Sequence, residues 1–131
     1  MEERRKQLVK FYWQLDVYKL ARDCRQKIFV LSKSFPQSEM YSLTDQMRKS
    51  SRSVTSHIAE AWGRRPYRAD FINKLNMSES EALETQSWIE SSVECQYMEN
   101  TVGQDLYRLY DQIIGKLINM QANPDTWIIK R

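Results

Sequence analysis

The chain has 131 residues, of which 41% are hydrophobic and 28% charged, and this length predicts one domain, residues 1–131. A domain of this size buries roughly two-thirds of its unfolded surface, so it needs neither a disulfide nor a metal to fold. The charged N-terminus and the lack of any run near ~20 apolar residues predict neither a signal peptide nor a membrane span, and hence a cytoplasmic protein without a membrane partner.

The first element is a helix predicted over residues 16–34. Its apolar residues recur at spacings of three and four, which places them on one face, and Pro36 ends it. Cys24 lies on that face, and Cys95 has apolar neighbours late in the chain. We therefore expect two reduced core thiols, with a Cys24–Cys95 disulfide as the alternative.

The second helix is predicted over residues 42–62, where Ser42 can cap the first turn. Ser50 and Ser51 interrupt its apolar stripe, and side chains this small would let a neighbouring helix approach closely. Gly63 follows at the position where a left-handed residue commonly ends a helix.

A long third helix is predicted over residues 67–96, with a thin, partly polar inward face and Trp88 off that face. The fourth is predicted over residues 104–120. Gly115 inside it indicates either close packing or a tolerated weak position, since glycine costs roughly 1 kcal/mol relative to alanine in a helix. Four helices joined by short loops predict an all-α fold, an antiparallel up-down-up-down four-helix bundle.

The net charge of +3 is small, but the charges are segregated along the chain. Residues 1–27 carry eight Lys or Arg and four acids, residues 48–68 carry six and only Glu60, and residues 79–99 carry six glutamates and no cation. This polarity fits a basic face for an anionic partner. It equally fits basic and acidic faces that meet between subunits.

The strongest candidates for a binding surface are arginines in and after the second helix. Two of them are four residues apart and share a helix face. The others follow at the next corner beside Trp62 and Tyr67, whose rings could stack on unpaired bases. The candidate nucleic-acid-binding residues are Arg48, Arg52, Arg64, Arg65 and Arg68. An ordinary solvated or interfacial cluster is the alternative.

An enzyme site can be drawn around His57, the only histidine of the chain. Glu60 and Ser53 lie within about one helical turn of it, yet no nucleophile elbow or oxyanion-hole glycine pattern accompanies them. One histidine and two distant cysteines also give no ligand spacing for zinc. We therefore expect no enzymatic activity, no metal and no cofactor, and interpret His57 as a polar residue at a helix or subunit contact.

The four tryptophans exceed what the core of a small bundle usually holds. Tryptophan, tyrosine and arginine are enriched at protein interfaces and their hot spots. We predict Trp13, Trp88 and Trp127 at an oligomer interface, with core and edge packing as the alternative.

Three segments of the chain resemble one known family in order and spacing. Over about residues 15–120, the chain is similar to the bacterial four-helix-bundle proteins encoded within intervening sequences of 23S rRNA genes. The positions that carry the resemblance are Leu15–Ala21, Phe35, Pro36, Glu39, Tyr41, Leu43, Gln46, Arg48, Ser53, Val54, Ile58, Ala59, Glu60, Gly63, Arg64, Glu84, Thr85, Gln86, Trp88 and Ile89. His57 replaces the usual asparagine and Ala61 the usual glycine.

The resemblance implies a closed homopentamer of four-helix bundles for which no enzymatic activity is established. Relatives include the accessory proteins of diversity-generating retroelements, which form basic pentameric barrels that bind nucleic acid and a reverse transcriptase. The partners implied are therefore further copies of the chain, RNA or DNA, and a nucleic-acid enzyme. A purely structural or protein-interaction module without nucleic-acid binding is the alternative.

Overall fold

A computed structural model describes residues 9–130 of the chain, which are almost entirely helical. The elements are α1 (Asp16–Ser32), α2 (Leu43–Gly63), α3 (Arg68–Glu94) and α4 (Asn100–Ala122), with short 3-10 turns at Tyr12–Gln14, Gln37–Glu39 and Pro124–Thr126. No strand occurs in this part of the chain. The predicted all-α four-helix bundle is confirmed. The predicted domain also includes residues 1–8 and 131, which lie outside the described residues.

The order of contacts between helices defines the bundle. Each helix packs against its neighbours in the chain and α4 packs against α1, while no diagonal pair of helices is in contact among the described residues. Helices α2 and α3 run in opposite directions. Ser50 contacts Thr85, whereas Val54, further along α2, contacts Ser78, which comes earlier on α3. The same reversed order holds for the other consecutive pairs, in Arg25–Thr55, Ser32–Arg48, Glu79–Gln121 and Gln86–Asp111.

Small polar residues form the contact between α2 and α3, as the sequence pattern predicts. The Thr85 hydroxyl donates to Ser50 Oγ at 2.8 Å, and the Ser78 hydroxyl donates to the Val54 carbonyl oxygen at 2.8 Å. All four residues are buried, so these hydrogen bonds satisfy groups that water cannot reach. The thin inward face of α3 therefore lies against a matching small-residue stripe on α2.

Most helix ends lie within two residues of the sequence prediction, and the differences of consequence concern Gly63, Ser42 and the start of the fourth helix. Gly63 is the last residue of α2, and no glycine in the described residues has a positive φ; the left-handed residue is Gln96, with φ 63°. The chain leaves α2 through Arg64, at φ −101° and ψ 11°, so a left-handed turn is unnecessary there. Ser42 makes no capping hydrogen bond with its side chain. The fourth helix begins at Asn100, so that it includes Gly103.

The two cysteines are free thiols in different environments. Cys24 is fully buried on α1, whereas Cys95 is exposed, because it follows the last turn of α3 beyond the inward stripe. The expectation of two core thiols is therefore wrong for Cys95, and the disulfide alternative is also wrong. Burial raises the pKa of the Cys24 thiol from 9.0 to about 11, while nearby Lys27 lowers it and Asp23 raises it.

We expect the protein to lose stability as the pH rises from about 9 to about 11, because of Cys24. In this interval the unfolded chain releases the Cys24 proton and the folded chain keeps it, so the unfolded state is favoured by at most about 1.4 kcal/mol per pH unit. Below pH 9.0 both states keep the proton and this contribution is fully present. Urea unfolding across the interval measures the slope. Cys24→Ala should flatten it, and Cys95→Ala, the control, should retain it; equal slopes in the two variants would contradict the assignment.

Among residues 9–130, no helix combines the length and the apolar character needed to cross a bilayer.

Candidate nucleic-acid interface

The five candidate arginines form two separate groups. Arg48 and Arg52 lie in the first half of α2, and the others lie at the corner where α2 ends and α3 begins. Arg52 and Arg64 are twelve residues apart in the sequence, which corresponds to about 18 Å along a helix. The corner cluster is defined as Arg64, Arg65 and Arg68.

The first group is part of a larger cationic cluster in the groove between α1 and α2. The ring of Phe29, on α1, is its centre. Lys33 Nζ lies 4.8 Å from the ring centroid, and the guanidinium carbons of Arg48 and Arg52 lie 5.0 and 5.9 Å from it. Cations at these distances are attracted to the negative face of an aromatic ring. With Arg25, these residues form the seam cluster: Arg25, Phe29, Lys33, Arg48 and Arg52.

Two arginines of the seam cluster are held in place by hydroxyl groups on the opposite helix. Arg25 Nη1 donates to Thr55 Oγ1 at 2.7 Å, and Arg48 Nε donates to Ser32 Oγ at 2.8 Å. Both hydroxyls are buried, and each donates to a carbonyl oxygen of its own helix. Each guanidinium uses one of its five N–H donors in this way, so it is positioned and keeps further donors for a ligand.

The seam cluster lacks compensating acids. None of its four cations forms an ion pair with a carboxylate of the described residues, whereas the nearby Arg22 and Lys49 are paired with Asp23 and Asp45. Unneutralised cations this close together produce a positive local potential. The arrangement therefore favours an anionic ligand.

The corner cluster, in contrast, is largely engaged within the chain. Arg65 lies over the ring of Trp62, with its guanidinium carbon 3.6 Å from the centroid, and its Nε donates to the Trp62 carbonyl oxygen at 2.7 Å. Burial lowers the pKa of Arg65. Arg68 forms an ion pair with Asp125, near the C-terminus. Arg64 is exposed.

The three tryptophans that sequence analysis places at an interface have different environments. Trp127 packs edge-on against Trp62, with ring centroids 6.2 Å apart, and both Trp127 and Trp88 are partly buried in the chain itself. Trp13 is 47% exposed and stacks on Phe11, with ring centroids 4.4 Å apart and an interplanar angle of 2°. Trp13 is thus the tryptophan of this set with the most area available to a partner.

The residues of the hypothetical catalytic set do not converge. His57 Nδ1 lies 3.0 Å from Glu60 Oε1, and Glu60 Oε2 lies 3.2 Å from Lys74 Nζ on α3. Burial alone would raise the pKa of Glu60, but the hydrogen bonds and charges of Lys74 and His57 outweigh it and lower that pKa. Ser53 forms no hydrogen bond with His57. The group therefore links α2 to α3 and brings no nucleophile to the histidine.

The side of the bundle diagonally opposite α1 is acidic. Glutamates of α3 dominate it, and burial, together with repulsion from Glu84, raises the pKa of Glu81. Within residues 9–130, no three His, Cys, Asp or Glu side chains are grouped in a way that could hold a metal ion.

Three residues of the seam cluster, Arg25, Phe29 and Lys33, are not among the binding residues predicted from the sequence. A signal was present, because these residues follow one another at intervals of four, with Arg25 and Phe29 on α1 and Lys33 at its C-cap in helical conformation, and therefore share one face. Their proximity to Arg48 and Arg52 depends on the register between α1 and α2, which the sequence pattern does not specify.

Four antiparallel helices with a cationic groove on one side and an acidic helix on the other define a helical-bundle protein with a polarised surface. The chain belongs to the family described as 23S rRNA-intervening sequence protein, whose sequence profile matches residues 13–119. This confirms the resemblance seen in the sequence.

Among solved structures, the chain is similar to a protein of unknown function from the S23 ribosomal protein family of Bacteroides thetaiotaomicron. The two are 27% identical and superpose with a TM-score of 0.73, over 80% of this chain and 97% of that one. No curated protein is significantly similar to the chain. The family and the structural neighbour are both of unknown function.

Proposed function

We propose that this chain is a non-enzymatic, homo-oligomeric bundle protein that binds RNA or DNA through the seam cluster. The observation that carries the proposal is that three cations lie over the Phe29 ring, with Arg25 bound to Thr55 in the same groove, and that none of the four has an acidic partner among the described residues. Two of them are held by buried hydroxyls, so their guanidinium groups are oriented before a phosphate arrives. Arginine forks suit phosphate oxygens, and phosphate contacts supply most of the affinity of nonspecific nucleic-acid binding.

Binding to a mixed pool of RNA and DNA oligonucleotides tests this proposal. At ~50 mM salt, where phosphate contacts are strongest, we expect measurable affinity that falls linearly with the logarithm of salt concentration. Undetectable binding under these conditions would contradict it. A nucleic-acid enzyme that acts on the same strand is the protein partner that this function suggests.

Self-association is supported by a different surface. Phe11 and Trp13 expose about half of their area as one stacked pair, at 48% and 47%. The cationic α1–α2 groove and the acidic α3 also offer opposite charges to neighbouring copies. We propose a closed ring in which Trp13 contributes to the contact, with five subunits as the number that the family resemblance implies. A ring would contain one seam cluster in each subunit, and the copies together would strengthen the positive electrostatic potential.

Light scattering tests the assembly. We expect a mass of several chains at micromolar concentration, and a shift towards smaller species in Trp13→Ser. Trp127→Ser is the matched control, because Trp127 packs within its own chain. A wild-type monomer would contradict the proposal and favour a different role for the exposed aromatic pair.

A further inference from the structure

The C-terminal segment, residues 123–130, lies across the corner cluster. The Asp125 carboxylate is paired with Arg68, the Trp127 ring packs on Trp62, and the Ile129 amide donates to the Arg65 carbonyl oxygen at 3.1 Å. Three separate contacts of different chemistry thus fix this segment to the corner between α2 and α3.

We propose that residues 123–130 are a displaceable cover over a second phosphate-binding surface, the corner cluster, and that Asp125 occupies the position on Arg68 that a nucleic-acid phosphate takes when the cover is released. This inference rests on the proposed nucleic-acid binding and adds its regulation. A carboxylate and a phosphate accept the same hydrogen bonds from a guanidinium group, so they compete for Arg68.

The strength of the ion pair is compatible with displacement. The Arg68 and Asp125 side chains are 53% and 78% exposed, and exposed pairs of this kind contribute little to stability because water and salt screen them. The Arg65 guanidinium group contacts Trp62 and not the segment, and Arg64 is exposed, so both side chains are available when Arg68 is released.

The distance between the two basic groups fits one strand. The span of about 18 Å along α2 is the minimum path, since twelve residues also turn Arg64 by about 120° around the helix from Arg52, and it corresponds to at least about five nucleotides at a rise of 3.4 Å. A strand that contacts Arg48 and Arg52 can therefore reach Arg64 and then compete with Asp125. Release of the cover is expected only with ligands longer than this span.

Asp125→Asn is the direct test, with Asp70→Asn as the matched control. Both remove one negative charge near the corner, but Asp70 forms no ion pair with an arginine of the described residues. With a mixed-sequence RNA of about 16 nucleotides, we expect Asp125→Asn to raise affinity roughly 1.5- to 5-fold and to steepen the salt dependence by about 0.7. Asp70→Asn should leave the salt dependence unchanged.

Amide hydrogen exchange of the wild-type protein tests the ligand-driven release. The Ile129 amide should exchange faster when the RNA of about 16 nucleotides is bound, and should not change with one of about three nucleotides, which cannot span both groups. If the exchange rate of the Ile129 amide did not change with the longer RNA, the proposal that residues 123–130 are a displaceable cover would be wrong.

The outcomes separate this inference from the proposed function. Equal effects of Asp125→Asn and Asp70→Asn would overturn the cover and leave the seam-cluster proposal intact. A second outcome is that the double variant Arg48→Gln and Arg52→Gln keeps full affinity while Asp125→Asn has the expected effect. This result would contradict RNA binding by the seam cluster and would support the cover formed by residues 123–130. If neither wild type nor Asp125→Asn binds RNA at ~50 mM salt, both proposals fail.

Discussion

Replacing Arg48 and Arg52 with glutamine should lower the affinity for single-stranded RNA about tenfold or more at ~50 mM salt. The slope of log K against log salt should become shallower by about 1.4, because two phosphate contacts are lost and each contributes about 0.7 for a single strand. Titrations at several salt concentrations measure both quantities.

The physical basis is the geometry of the seam cluster. Both guanidinium groups lie within 6 Å of the Phe29 ring centroid, and the arginines have no acidic partner in the described part of the chain. A phosphate that contacts them therefore displaces no ion pair of the folded protein, and its full attraction contributes to binding. Ser32 keeps its own hydrogen bond to the Phe29 carbonyl oxygen after Arg48 is replaced, so the fold is expected to persist.

The matched control carries Arg22→Gln and Lys49→Gln. It removes the same amount of charge, from the two helices that line the groove, but both cations are exposed and already paired with aspartates. We expect less than about a threefold loss of affinity, since screened exposed pairs contribute little. An equal loss in the two double variants would show that only net charge matters and would contradict a localised site.

The fold could be predicted from the sequence because helix periodicity is a local property. Apolar positions three and four residues apart define the inward faces, and the small residues Ser50 and Ser51 already indicate that a neighbouring helix approaches α2 closely. Capping was less predictable. The sequence offers Ser42 as the N-cap of α2 and Gly63 as a left-handed residue after its end. Ser42 makes no capping hydrogen bond with its side chain and Gly63 is not left-handed, because other backbone geometries are also possible at these helix ends.

The candidate site could be predicted only in part, since its decisive contacts are distant in the sequence. Arg68 and Asp125 are 57 positions apart, and Arg25 and Thr55 are 30 apart. Such pairs depend on the register between helices and on the path of the C-terminal segment. The five arginines therefore look equivalent in the sequence, but Arg48 and Arg52 are available to a ligand whereas the corner cluster is largely engaged with other residues of the chain.

The largest contrast in stability is expected between two alanine substitutions on α4, Gly103→Ala and Gly115→Ala. A methyl group at Gly103 would overlap Val93 Cγ2 and would lie 3.6 Å from Met98 Sδ and 3.8 Å from Ile89 Cγ2. Overpacking of this kind typically costs about 1–3 kcal/mol, which outweighs the helix propensity gained from alanine, about 1 kcal/mol. A methyl group at Gly115 meets nothing within 4 Å, so only the gain remains.

The two variants should therefore differ by the overpacking cost, about 1–3 kcal/mol or roughly 5–10 °C in Tm, with Gly115→Ala stabilising and Gly103→Ala destabilising. Of the two alternatives that the sequence offers for Gly115, close packing is wrong and a tolerated weak position agrees with the structure, since the residue is exposed and an added methyl group meets nothing. The sign at Gly103 depends on Val93, whose branched side chain has few alternative rotamers and cannot easily move aside. If Gly103→Ala stabilised the protein as much as Gly115→Ala, then α3 and the first turn of α4 would not approach as closely as described. The early start of α4 brings Gly103 into this contact, which is why glycine is needed there and merely tolerated at Gly115.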